Sequence, residues 1–431
     1  MTSDLPLAPG ALYVWAWLPG EREPRPAGIL ERVERPGGGV VHTFAYGQGW
    51  LRAGHPAVFL PELPTGRGRQ EPGPGLAVHG VLRDAGPDAW GQRVIMRRLL
   101  ARDVRDRDSA ELSLLTHLLH SGSDRVGALD FQLDPRTHVP RHHDASLEDL
   151  LEAADRLQAG DSLLGPLGDA LEAGSSVGGA RPKATLRDGE RSLIAKFSAP
   201  TDVYPVMRAE AVAMELARRA GCDVAPTELV EVAGRDVLLV ERFDRGPGGT
   251  RRQFVSALTL LGLDEMAARH ATYPDLADVL RTRAPARTAT LHELFRRIVV
   301  NVLVGNTDDH ARNHAAFYDV HDTTLRLTPA YDVCPQLRTG GEAAQAMAIG
   351  PGDRRLANLI TCIDAAEVYE LSRAAATAIV EDVLDTLVTH WHEAADLARL
   401  TTAQRGALWG AQVANRFATD GWCDPLAQPP R

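Results

Sequence analysis

Cysteine is scarce. The four in this 431-residue chain (Cys222, Cys334, Cys362 and Cys423) are scattered and never form C-x-x-C, which excludes a disulfide framework and a cysteine-based zinc site. Positive charge is in the minority too. With 47 Lys+Arg against 57 Asp+Glu the net charge is −10, so approach to DNA or to an acidic membrane would need a local basic patch or a partner. No apolar run approaches the roughly 18–20 residues that span a bilayer. The opening MTSDLPLAPG lacks the basic and apolar regions of a secretory signal. The expectation is a cytoplasmic protein with no membrane attachment. Repeats of solenoid period and low-complexity tracts are missing as well. What remains is 44% hydrophobic and 24% charged residues, an ordinary globular composition. The length implies two or three compact units.

Along the chain the character changes. Residues 11–18 (ALYVWAWL) and 39–46 (GVVHTFAY) read as strands, separated by a Gly/Pro-rich break. Residues 88–102 and 146–158 read as helices, with a polar, solvated connector at 134–145 that holds His138, His142 and His143. Further strands are expected at 192–197 (SLIAKF) and 236–243 (DVLLVERF), with a helix at 207–220 between them. Beyond about 250 the pattern is helical. Leu291, Leu294, Phe295, Ile298, Val299 and Val302 repeat at i, i+3, i+4, i+7, i+8 and i+11, and Gly305 supplies the stop.

The chemistry concentrates in NTDDHARN, residues 306–313, directly after that apolar helix. Phosphoryl transfer needs a carboxylate to accept a hydroxyl proton and an amide oxygen to help hold magnesium, with the base about five positions before the amide. That spacing selects Asp308 with Asn313 and leaves Asp309 pointing elsewhere; an exposed polar helix end is the competing reading. Asp332 interrupts the apolar, strand-like LTPAYDVCP, where an unpaired carboxylate is costly, so it reads as a magnesium ligand rather than a turn cap. Lys196 ends an apolar strand, as does the kinase lysine that neutralises nucleotide phosphates. Glu210 or Glu215 on the following helix could anchor it. At 3.6 residues per turn only one of the two can reach, and Glu210 is preferred. Ahead of that strand lies SSVGGARPK, residues 175–183. Its adjacent glycines could close backbone N–H groups on phosphate, while Arg181 and Lys183 add positive charge. It is neither a Walker A nor a G-x-G-x-x-G motif.

Together, SSVGGARPKATL, LIAKF, LLVERFDR, NTDDHARN and LTPAYDVCP closely resemble the HipA family of serine/threonine kinase toxins. LYVWAWL, DAGPDAWGQRVI and DRVGALDF resemble that family's N-terminal part. The resemblance implies an α+β, bilobal protein-kinase-like fold with a β-rich N-terminal subdomain and a mostly helical C-terminal lobe. The expected divisions are a HipA-like N-terminal subdomain at 1–130, a kinase N-lobe with the glycine-rich phosphate loop at 131–250, and a helical C-lobe at 251–431. It further implies ATP and Mg2+ as cofactors. By position Asp308 is the catalytic base, and Asn313 and Asp332 are the metal ligands. Val177, Gly178, Gly179, Lys183, Lys196, Glu241, Phe243 and His310 contact ATP, Glu210 is the ion-pair partner of the nucleotide lysine, and Ser176 is the autophosphorylated residue. The implied partners are a helix-turn-helix antitoxin of HipB type, DNA only indirectly through it, and a protein substrate such as an aminoacyl-tRNA synthetase. The chain departs from the family's pattern at residues 252–262, where an acidic pair is often found, and at Asp309, where a small residue is common.

Two other classes remain in view. His310 and His314 stand at i and i+4, the spacing of two zinc ligands on a helix, although the H-E-x-x-H glutamate is replaced by Ala311. The chain could also be a non-catalytic kinase-like scaffold that binds an antitoxin and DNA.

Overall fold

The computed structural model describes residues 9–102, 112–142, 145–159, 161, 165, 168, 171, 181–199, 201–338 and 341–422. The chain divides into two compact units. The first joins Met1–Ala199, Glu231–Val255 and Phe317–Thr323; the second joins Pro200–Val230, Ser256–Ala316 and Thr324–Arg431.

Two four-stranded sheets are found among the described residues. One is ordered β3-β2-β1-β4 and built from β1 (Ala11–Ala16), β2 (Arg25–Glu34), β3 (Val40–Tyr46) and β4 (Leu129–Gln132), with every neighbouring pair antiparallel. The sequence reading finds β1 and β3 but takes the longest strand, β2, for a break. Pro26, Gly28 and four charged residues mask a strand whose outward positions face water, while Ala27 and Leu30 are fully buried. Gly28 is required there, because a Cβ would lie 2.2 Å from the Ala45 carbonyl oxygen and 2.6 Å from the Phe44 ring. The other sheet is ordered β5-β6-β8-β7, from β5 (Lys183–Asp188), β6 (Arg191–Phe197), β7 (Thr227–Val232) and β8 (Arg235–Glu241). The amphipathic helix Leu147–Ala159 covers β5 and β6 with Leu150, Leu151, Ala153, Ala154 and Leu157.

A buried polar knot ties the first sheet together. Asp130 on β4 is fully buried and accepts hydrogen bonds from Arg125 (2.8 Å), Arg141 (3.1 Å), Ser123 (2.7 Å) and Gln132 (2.8 Å). His138 completes it and corrects the expectation of a solvated linker. Its ring packs on Trp15 and Trp17, with centroids at 5.4 and 5.5 Å, and its Nε2 is 2.9 Å from Asp130 Oδ2. His142 is exposed, and His143 lies outside the described residues.

The second unit is mostly helical. Helix Arg373–Leu397 packs on Val206–Arg219 and on Arg287–Val304, with Trp391 fully buried in its seam. The apolar stripe of Arg287–Val304 is wholly inside: Leu291, Leu294, Phe295, Ile298 and Val299 each have 0% exposure. Each such side chain contributes about 1.5–3 kcal/mol. That helix is therefore a rigid platform for whatever follows its C-terminus. Apart from these helices, three short strands whose residues are not confined to the second unit, β9 (Phe254–Ser256), β10 (Ala315–Tyr318) and β11 (Leu325–Leu327), form a sheet ordered β11-β10-β9. The segment around Asp332 is not a strand, in contrast to the sequence expectation. β11 ends at Leu327, and Asp332 sits in irregular chain with φ +60°.

Candidate active site

The loop that holds most of the predicted residues starts where the platform helix stops. Gly305 caps the helix in the left-handed region at φ +75°, and a Cβ there would lie 2.5 Å from the Gln412 carbonyl oxygen. Side chains and backbone then pin the loop. Asn306 is buried and donates through its amide to Asn301 Oδ1 (3.0 Å) and through its backbone to the Asn301 carbonyl (2.9 Å). Ala346 N–H donates to the Thr307 carbonyl at 3.0 Å, and Gln336 N–H to the Gly305 carbonyl at 2.9 Å.

The two adjacent acids are treated oppositely. Asp309 is 2% exposed, and its Oδ2 accepts from Asn301 Nδ2 (2.6 Å), His314 Nε2 (2.8 Å) and the Tyr273 hydroxyl. Burial, reinforced by the Asp309 charge, pushes the Tyr273 phenol well above its usual range, so it stays a donor. Asp308 is exposed, yet its carboxyl is raised above the ordinary range. Partial desolvation is the largest cause and the charges of Asp332 and Asp309 add to it, while His310 pulls the other way. Asn313 is buried, its N–H bonded to the His310 carbonyl (2.8 Å) and its Nδ2 3.4 Å from the Asp308 carbonyl. His310 is half-buried, with Nδ1 shielded from solvent and lacking a hydrogen-bond partner among the described residues. Asp332 is half-buried, and Asn306 Nδ2 lies 3.5 Å from its carbonyl oxygen. Its positive φ costs an L-residue about 1–2 kcal/mol, a strain that tends to collect at functional positions.

The second unit thus brings Asp308, His310, Asn313 and Asp332 into one cluster. Sequence reasoning missed its supports, Tyr273 and Asn301. Asn301 does carry a signal: it is an amide within the apolar run 298–304, where a buried polar group must find a partner. The zinc spacing of His310 and His314 loses its geometric basis, since both lie in irregular chain and His314 Nε2 is bonded to Asp309. Among the described residues no group of three or more His, Cys, Asp or Glu could hold a metal ion. On the Val206–Arg219 helix, Glu215 is held by Arg218 (2.8 Å) and Arg219 (2.6 Å), whereas Glu210 is 1% exposed.

The remaining predicted residues belong to the first unit. Lys183 is on strand β5 rather than in a loop, directly opposite Lys196 on β6, so the two side chains share one face of the sheet. Both are buried. Asp88 Oδ2 is 3.7 Å from Lys183 Nζ, and Trp90 Nε1 donates to the Lys183 carbonyl at 2.9 Å. Glu241 pairs with Leu193 at the end of β8. Phe243 follows, its ring centroid 6.1 Å from Phe254 and 5.8 Å from Phe317. Ser176, Val177, Gly178 and Gly179 lie outside the described residues.

Comparison with known proteins matches residues 21–132 to the HipA N-terminal domain and residues 175–391, half of the chain, to the HipA-like C-terminal domain. The chain belongs to the HipA family. Its HipA fold is seen again in Shewanella oneidensis MR-1 HipA, solved with HipB and operator DNA. That structure is similar at 18% identity with a TM-score of 0.65, over 92% of this chain and 96% of that one. Two curated relatives carry kinase names. Putative kinase Y4mE of Sinorhizobium fredii is 29% identical over 67% of this chain and 71% of its own length. A putative kinase of Haemophilus influenzae is 27% identical over 30% of this chain and 41% of its own length. Among the described residues no helix is long and apolar enough to cross a membrane.

Proposed function

We propose that this HipA-family chain is an ATP- and Mg2+-dependent serine/threonine protein kinase with Asp308 as its base. The observation that carries the reading is the contrast within one loop: Asp309 is buried with three donors on its Oδ2, while Asp308 is presented outward on a locked backbone. A carboxylate so placed accepts a proton from a substrate hydroxyl, and its raised pKa makes it a better base than an ordinary Asp. The donor set fits magnesium. Asp308 and Asp332 repel each other, a hard cation between oxygen ligands relieves that repulsion, and Asn313 supplies a neutral oxygen beside them. When bound, Mg2+ would neutralise charge on the transferring phosphoryl group. Asn313 and Asp332 would hold it, Lys183 and Lys196 would face nucleotide phosphates, and the Glu241–Phe243 backbone would meet the adenine. His310 would lie near the phosphates, and Glu210 would anchor Lys196.

Ser176 is the proposed autophosphorylation site; a phosphate of about −1.5 to −2 charge there would repel nucleotide phosphates from the adjoining glycines. A protein substrate and a HipB-type antitoxin, with DNA met only through the antitoxin, complete the proposal. The antitoxin rests on the Shewanella relative, which was solved with HipB and operator DNA. The test is incubation with labelled ATP and Mg2+. Label on Ser176 in the wild type and its loss in Asp308→Asn are expected; no label in either would favour a non-catalytic scaffold.

A further inference from the structure

Three guanidiniums and two carboxylates cluster in the first unit just beyond β8, with Arg242, Asp244 and Arg251 buried and Arg245 and Asp124 half-buried. Arg242 donates to Asp244 (3.0 and 2.8 Å) and pairs with Asp124 at 3.0 Å. Arg245 pairs with the same two acids, both at 2.9 Å. Asp244 also accepts the Gly127 N–H at 2.8 Å. Arg242 and Arg245 therefore use both carboxylates, and among the described residues Arg251 has no ion-pair partner. Its guanidinium lies 3.6 Å above the Trp17 ring centroid and the residue is 8% exposed. Its Nη1 is closed to solvent and has no hydrogen-bond partner.

The imbalance continues into the neighbouring knot. Asp130 serves both Arg125 and Arg141, and Arg141 Nε is likewise buried without a partner. Among the described residues five guanidiniums thus meet three carboxylates, a local excess of two positive charges in a chain whose net charge is −10. Burial and the neighbouring Arg245 push the Arg251 pKa down to about 9, against the pull of Asp124 and Asp130. Stacking on Trp17 offsets only part of the desolvation of such a cation. His142, exposed, lies close enough that the Arg251 and Arg187 charges act on its imidazole.

We propose that this arginine cluster is a binding site for a phosphate-class oxyanion, seated on Arg251 above Trp17. The planar fork of a guanidinium matches two oxyanion oxygens. A phosphate monoester carries about −1.5 to −2 charge, close to the local excess. The cluster belongs to the first unit and the Asp308 loop to the second, and the assignment does not depend on the kinase reading.

Thermal unfolding of the full chain tests it, with inorganic phosphate titrated to about 10 mM against chloride at matched ionic strength. The wild type should gain roughly 3 °C. Arg251→Met should start above the wild type without phosphate, because a buried unpaired charge is gone, and should gain nothing on titration. Arg251→Gln gives the same readout should the methionine variant misfold. A flat wild type, or an equal gain in the Arg251 variants, would overturn the site. O-phosphoserine as a second probe distinguishes sources: an effect equal to that of phosphate indicates the free ion, and a larger one indicates a phosphorylated side chain.

Discussion

Asp309 and Asp130 are both buried acids that hold a loop in place, and they are satisfied by opposite chemistry. Asp309, in the helical unit, takes its hydrogen bonds from an amide, a phenol and an imidazole. Asp130, in the sheet unit, takes two of its bonds from guanidiniums. The first arrangement fixes geometry without cancelling charge, so the cluster of Asp308, Asp309 and Asp332 stays anionic and suits a cation. The second cancels the acid and overshoots, leaving a cationic interior that suits an anion. Buried polar networks with equally good geometry can therefore set opposite fields in two units of one chain.

The largest effect expected in breaking this comparison is on turnover. Asp308→Asn should lower phosphotransfer by roughly 10²–10⁴-fold in a labelled-ATP assay. Stability should not fall with it. A raised pKa means the fold disfavours the ionised form, so neutralising Asp308 at pH 7 should leave the urea midpoint unchanged or slightly higher. Next comes Asp130→Ala, which strands Arg125, a residue with 0% exposure, inside the sheet unit. A loss of about 3–5 kcal/mol is expected from denaturant unfolding. A loss below about 1 kcal/mol would mean that the guanidiniums find other acceptors.

Much of this contrast could be read before any coordinates. The spacing of Asp308 and Asn313 selected the outward acid, and the apolar period of residues 291–302 located the helix that carries the loop. Neither β2 nor the arginine knot was visible. β2 looks like a break because its charges point to water, and its place is set by pairing with β1 and β3, which a linear pattern does not encode. Asp124 and Arg242 are 118 positions apart, so their contact depends on topology rather than local propensity. Asp332 stands out in the sequence as a carboxylate in an apolar run, but its left-handed backbone has no sequence mark in an aspartate.

Asp309→Asn sharpens the comparison at intermediate size. One strong acceptor oxygen with three donors becomes an amide, which should cost about 1–3 kcal/mol. Turnover should fall as well, because the backbone of Asp308 would lose its anchor. Acidification should separate the units in the reverse direction. Burial raises Asp244, yet Arg242 and Arg245 prevail and bring it down to about 2; Asp130 is held well below its usual range by Arg141, His138 and Arg125 against the same burial penalty. Depressed acids contribute stability that is complete above the ordinary Asp range and lost as pH falls through the folded value. Tryptophan fluorescence from Trp15 and Trp17 should therefore hold to about pH 4 and change between there and about pH 2. A transition complete above pH 4 would contradict the ion-pair account.

The smallest effect expected concerns Gln345, the neutral counterpart of Arg251. It is 2% exposed, and neither its amide oxygen nor its nitrogen has a hydrogen-bond partner among the described residues. Met347 and Ile349, at alternate positions, are buried as well, so Gln345 occupies an apolar row beside the loop. The next residue, Ala346, donates its N–H to the Thr307 carbonyl, which fixes the backbone whatever the side chain. Gln345→Met keeps the length and removes both orphan atoms, so a gain of about 1 kcal/mol in urea unfolding is expected, with phosphotransfer unchanged. Destabilisation instead would show that a buried water satisfies the amide. The helical unit would then keep a hydrated polar position beside the Asp308 loop, where the sheet unit keeps a buried cation.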